Sequence, residues 1–110
     1  MRHIVYQMAD LYHQDADLEF IVVSSGAITS GAKHLNIRPT QLAEKQAAAS
    51  IGQILLFQKY YEFFQAKNIC VGQLLVTKDN FEDTEKKDNI IQTIHTLLAH
   101  HTIPIINEND

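Results

Sequence analysis

A single cysteine, Cys70, stands among the 110 residues, so no disulfide can form within this chain. That fits a reducing compartment, and its place in an apolar run makes it read as a small core residue. No apolar stretch approaches the roughly 18 to 20 residues of a membrane span, which excludes a spanning helix. Positive charge is scarce as well. Nine Lys and Arg face thirteen Asp and Glu, giving a formal net charge of −4 and a pI of about 5.8. That balance argues against a general polyanion binder, so no nucleic-acid partner is expected, while a local nucleotide site stays possible. The six histidines show no ligand spacing, and there is neither an HExxH motif nor a cysteine pair, so no metal centre is expected. No internal repeat or low-complexity segment occurs. The start, MRHIVYQMADLYHQ, reads as an amphipathic helix and not as a signal peptide. The default is a cytoplasmic protein without a membrane partner.

What is present is enough apolar material for a core. Hydrophobic residues make up 45% of the chain, and its length suits one small domain or part of a larger one. Ile4, Val5, Met8, Leu11 and Tyr12 recur at helical spacing. Leu18 to Val23 is a short β-branched run without polar alternation, as in a parallel strand covered on both faces. Gly26 to Leu35 predicts a short helix and Asn36 to Thr40 a loop. From Gln41 to about Lys67 the pattern is again helical. Its first half is small (Ala47, Ala48, Ala49, Ser50, Gly52), which lets another backbone approach closely. Its second half is bulky, from Ile54 to Phe64. Ile69 to Val76 predicts a second strand, and Thr77 to Asp83 a polar loop. A further helix follows, capped by Asp83 or Thr84 and ending near His100 and His101, and then a third strand, Ile103 to Ile106. Pro104 implies that this strand starts there or lies partly outside its ladder. The order helix, strand, helix, helix, strand, helix, strand predicts an α/β layered fold with a mainly parallel sheet.

In open sheets of this class, ligands bind beyond the carboxyl ends of the strands. Three stretches qualify: Ser24-Ser25-Gly26-Ala27, Thr77-Lys78-Asp79 and Asn107-Glu108-Asn109-Asp110. At the first, a helix start offers free N–H groups to a carboxylate or phosphate. Local pattern alone favours the plainer reading, in which Ser24 or Ser25 is a helix N-cap. No glycine stands two places before either serine, so a hydrolase nucleophile elbow is not indicated. The terminal carboxylates and amides suit either a solvated turn or a site for an ammonium group or metal. The run from Glu82 to Lys87 reads as a solvated first helical turn.

Four segments carry a resemblance. VVSSGAITSG (Val22 to Gly31), KQAAASIGQ (Lys45 to Gln53), VGQLLVTKDNFED (Val71 to Asp83) and IPIINEND (Ile103 to Asp110) are similar, in this order and spacing, to the glutamate 5-kinases of the amino acid kinase superfamily. The resemblance implies a three-layer α/β/α kinase fold. The implied reaction passes the ATP gamma-phosphoryl to the side-chain carboxylate of L-glutamate, giving L-glutamyl 5-phosphate, the first intermediate of proline synthesis. It implies ATP with Mg2+, proline as a feedback inhibitor and a homo-oligomer. It assigns glutamate binding to Ser25 and Asp110. On physical grounds Ser25, with Gly26 and Ala27, would meet a carboxylate and Asp110 the ammonium, with Asn107 also at the pocket. The family's opening strand with a phosphate-contacting lysine, and its later GDND-type segment and adenine pocket, have no counterpart in this sequence. The expectation is therefore that residues 1–110 are the glutamate-binding half of one kinase domain, incomplete at both ends, with no catalytic residue of its own and inactive alone. The alternatives are a non-catalytic assembly or binding module, and the kinase part of a bifunctional pyrroline-5-carboxylate synthase.

Overall fold

A computed structural model describes residues 1–108. Five helices and three strands alternate: α1 (Arg2–Gln14), β1 (Val22–Ser24), α2 (Ala27–Leu35), α3 (Leu42–Gln65), β2 (Cys70–Val76), α4 (Lys78–Glu82), α5 (Thr84–Ala99) and β3 (Thr102–Glu108). The chain forms two compact units, one made of residues 1–24 and those from 63 onward, the other of Ser25–Glu62.

The first unit holds the sheet. Its order is β1-β3-β2, with both pairings parallel, as the alternation of elements predicts. The middle strand β3 is the most buried, and Ile103, Pro104 and Ile105 are almost fully enclosed. Each large apolar side chain sealed this way contributes about 1.5–3 kcal/mol. α5 approaches the sheet over Gly72, where an added Cβ would sit 3.1 Å from Leu97 Cδ2. The end of α3 and the start of the chain make a second cluster. Tyr6 meets Phe63 edge to face at 6.3 Å, and the Lys67 ammonium lies 4.4 Å from the Tyr6 ring centre. Val5, Ala9 and Phe64 are buried. His13 Nε2 stands 2.7 Å from the Lys67 carbonyl and joins the end of α1 to the turn after α3.

Several sequence expectations change. β1 covers only Val22–Ser24, not Leu18 to Val23, because its first partner on β3 is Ile105 and nothing earlier pairs. An Asp15 side chain accepting the Asp17 N–H bends the chain upstream. Nor is β1 covered on both faces, since Val23 is 74% exposed. The polar stretch Thr77 to Asp83 is not a loop throughout. Asn80 Oδ1 accepts from the Thr77 N–H at 2.7 Å and from its hydroxyl at 3.0 Å, which starts α4. β3 begins at Thr102, ahead of Pro104. The proline stands opposite Gly72 on β2, while pairing with β1 starts one residue later. The missing N–H thus falls where the ladder is one-sided. Cys70 is exposed at the start of β2 and is not a core residue. Of the two expected caps for α5, Asp83 serves, accepting from the Lys86 N–H at 3.1 Å.

The second unit is a pair of helices in very close contact. A Cβ on Gly31 would overlap the Ala48 carbonyl, and one on Gly52 would overlap the Ala27 carbonyl. The small half of α3 therefore receives α2 backbone to backbone, as its composition suggests. α2 ends on Asn36 in the left-handed region (φ 56), whose N–H returns to Lys33 O. α3 starts with Glu44 Oε1 accepting from the Gln41 N–H and the Thr40 hydroxyl, both at 3.2 Å.

Candidate functional site

Parallel pairing brings all three strands to one carboxyl edge. Ser24 of β1 is in register with Asn107 of β3, and Asn107 with Leu75 of β2. One row further, Val76 stands opposite Glu108. Paired residues of adjacent strands point to the same face. The Ser24–Asn107 row is thus polar on a face whose preceding row is Val22–Ile105. Both residues are closed in, Ser24 at 5% and Asn107 at 4% exposure.

Beyond β1 the chain enters the second unit through Ser25, which is exposed. Gly26 follows at φ 97, ψ 15 and is the N-cap of α2. This corrects the cap reading, since neither serine caps the helix. Gly26 has no side chain to cap the helix, and the first helical bond runs from the Ser30 N–H to the Gly26 carbonyl at 2.9 Å. The left-handed Gly26 turns the chain sharply from strand to helix and brings no side-chain acceptor of its own to the first-turn donors. A short hydroxyl at Ser25 next to such a terminus is the donor set that a carboxylate or phosphate takes. The αL position also shows why the cap reading fails: the residue that must bend here is the glycine, not the serine before it.

Of the residues expected at the site, Asn107 lies in the first unit, and Ser25, Gly26 and Ala27 begin the second. Asp110 lies outside the described residues. Asn107 was expected in a polar terminal tetrad, but it is the buried penultimate residue of a strand. Ser24, named in the sequence as part of the first stretch, is a buried strand residue in register with Asn107.

Among the described residues Glu44 is displaced, its carboxyl sitting below its ordinary value of 4.5. The main cause is the hydrogen bond from the Gln41 backbone, then that from Thr40. Among the described residues no three His, Cys, Asp or Glu side chains gather as a metal site. No described helix is long and apolar enough to cross a membrane.

The first unit is a parallel sheet whose strands share one carboxyl edge, and the second opens on a glycine-started helix, an α/β organisation. The profile of the amino acid kinase family matches residues 1–110, and the chain belongs to that family. Among its relatives, the glutamate 5-kinase of Clostridium acetobutylicum is 42% identical over 112 aligned positions that cover the whole chain. Glutamate 5-kinase 2 of Bacillus subtilis is 46% identical across 88% of the chain. The glutamate 5-kinase of Haemophilus influenzae strain PittEE is 43% identical across all of it. The chain spans 41%, 27% and 30% of the lengths of these three relatives.

Proposed function

We propose that the protein to which these residues belong is an ATP-dependent glutamate 5-kinase, and that residues 1–110 are part of its single amino acid kinase domain, on the glutamate-binding side. The observation that carries the reading is the αL Gly26 that starts α2. It sits in the segment VVSSGAITSG of a chain more than two-fifths identical to named glutamate 5-kinases over its whole length.

In this reading the Ser25 hydroxyl and the N–H groups that follow Gly26 donate to one carboxylate of L-glutamate. Asp110 accepts from the substrate ammonium. Held at both ends, the side-chain carboxylate is fixed for attack on the gamma-phosphorus of ATP, which is catalysis by positioning. The carboxylate oxygen forms the new O–P bond as the bond to ADP breaks, and L-glutamyl 5-phosphate leaves. Among the described residues no three His, Cys, Asp or Glu side chains gather to hold the Mg2+ that would accompany ATP. A place at the head of proline synthesis, proline as an inhibitor near the 36–41 loop, and a cytoplasmic setting belong to the same reading. So does self-association, supported by exposed Ile54 and Tyr61 two turns apart on α3.

The test is glutamate-dependent ADP release by the full-length protein, with glutamyl phosphate trapped as its hydroxamate. Ser25→Ala and Asp110→Ala are expected to raise the KM for glutamate at least ~10-fold, the loss of one charge-assisted hydrogen bond. Unchanged glutamate kinetics in both variants would refute the site, and no turnover in the unmodified protein would refute the function.

A further inference from the structure

We propose that a cleft at the amino edge of the sheet, far from the Ser24–Asn107 row, is a binding site for a small organic cation of the amine or guanidinium class. It is a different surface from the one assigned to glutamate, and it does not depend on the kinase reading.

The cleft lies wholly within the first unit. Its walls come from the end of α1, the connection into β1, the last turn of α5 and the turn into β3. β1 and β3 run parallel, so both connections lie where the strands begin. From Thr102 to Asn107 the middle strand rises about 16 Å, which separates the cleft from the carboxyl edge. Its volume of about 480 Å3 is that of a small-molecule site. Tyr12, His13, Asp17, Glu19, Leu98 and His101 line it, and no Lys or Arg does. The two carboxylates therefore meet no fixed positive charge in the lining, and their field attracts a cation. His13 adds an acceptor. Its Nε2 stands 2.7 Å from the Lys67 carbonyl, which can only accept, so Nε2 carries a proton and the neutral ring keeps Nδ1 as an acceptor. Tyr12 supplies an aromatic ring and Leu98 an apolar surface for the carbon body of such a ligand. Among the described residues no three His, Cys, Asp or Glu side chains gather as a metal site, so the lining suits an organic cation and not a bare ion. The walls are braced without a ligand. Tyr12 packs on His13 at 6.0 Å and on Phe20 at 6.4 Å, and His101 turns the chain at φ 54 with its N–H bonded to Leu98 O. Such preorganisation lowers the cost of binding.

The test is titration calorimetry of the full-length protein with agmatine, an alkyl guanidinium that also carries an amine. Saturable binding is expected, with a Kd of ~1 mM or tighter. Raising salt from ~0.05 M to ~0.5 M should weaken it, and uncharged butanediol should give no saturable heat. Asp17→Asn combined with Glu19→Gln should weaken agmatine ~5- to ~30-fold, the loss of two exposed charge contacts, with the melting temperature nearly unchanged. No saturable binding to the unmodified protein overturns the inference. So does binding that salt leaves unchanged, equal binding of the diol, or equal binding by the doubly substituted protein. The salt and diol titrations use the unmodified protein and decide the matter even where the substitutions perturb folding. None of these readouts involves glutamate turnover, so failure of this site and failure of the kinase reading are told apart.

Discussion

Gly52 of α3 lies against the carbonyl of Ala27, the first residue of α2, so closely that a methyl group on Gly52 would overlap it. This contact fixes the helix start that follows Ser25 and Gly26. Gly52→Ala must push α2 away, at a cost of about 1–3 kcal/mol for overpacking. Gly72→Ala is the control. Its Cβ would meet the Leu97 side-chain tip at 3.1 Å, and a rotating leucine can yield where a backbone carbonyl cannot. Thermal unfolding should therefore show a clear loss for Gly52→Ala and a much smaller change for Gly72→Ala. The reverse order would mean that the helix pair does not pack through its glycines.

Gly26 poses the complementary case. A Cβ there meets nothing within 4 Å, yet its φ of 97 lies in a region that side chains rarely adopt. Gly26→Ala is expected to cost about 1–2 kcal/mol through the backbone alone. Because relief of that strain would rotate the first N–H groups of α2, the glutamate KM should rise along with the loss of stability. An alanine variant with wild-type melting and kinetics would show that the left-handed turn is not needed.

Much of this was legible in the sequence, and the failures have physical causes. Apolar residues at helical spacing, Ile4 to Tyr12, Ile54 to Phe64 and Ile90 to Leu98, announce α1, α3 and α5. The parallel sheet follows from the alternation of elements. β1 was overestimated because an apolar run shows the tendency to pair but not where a partner is available, and β3 offers one only from Ile105. α4 was missed because its stability comes from Asn80 reaching back to Thr77, a contact that hydropathy does not register. At the site, the serines and glycine were visible as polar punctuation. Which of them bends and which is buried depends on strand register, and that exists only once β1 and β3 are paired.

Asn80 leads to a prediction about that short helix. Five residues cannot hold a helix by propensity, so α4 depends on its N-terminal bonds. Asn80→Ala removes the acceptor of both the Thr77 N–H and the Thr77 hydroxyl. The expected loss is about 1 kcal/mol, with faster amide exchange confined to residues 77–83. Asn80→Asp keeps the acceptor and places negative charge in the first turn, so exchange should stay slow. Equal exchange in the alanine variant and the wild type would remove the cap from the account of α4.

Glu44 gives the pH dependence. Its carboxylate accepts from Gln41 N–H and Thr40 at the start of α3, which holds its folded pKa below the ordinary 4.5. For an acid whose pKa is depressed on folding, the unfolded chain binds more protons in the intervening range. The stabilisation is then fully present above the unfolded value, and it is lost as pH falls through the folded one. Glu44→Gln keeps an oxygen acceptor but not the charge. Wild type should melt above the glutamine variant at pH 7, and the gap should close as the pH drops below about 4.5. Added salt should narrow the gap at pH 7, since the group is exposed and its interaction with the helix start is screened. A gap of constant size across the titration would show that the side chain contributes by packing or hydrogen bonding alone, without its charge.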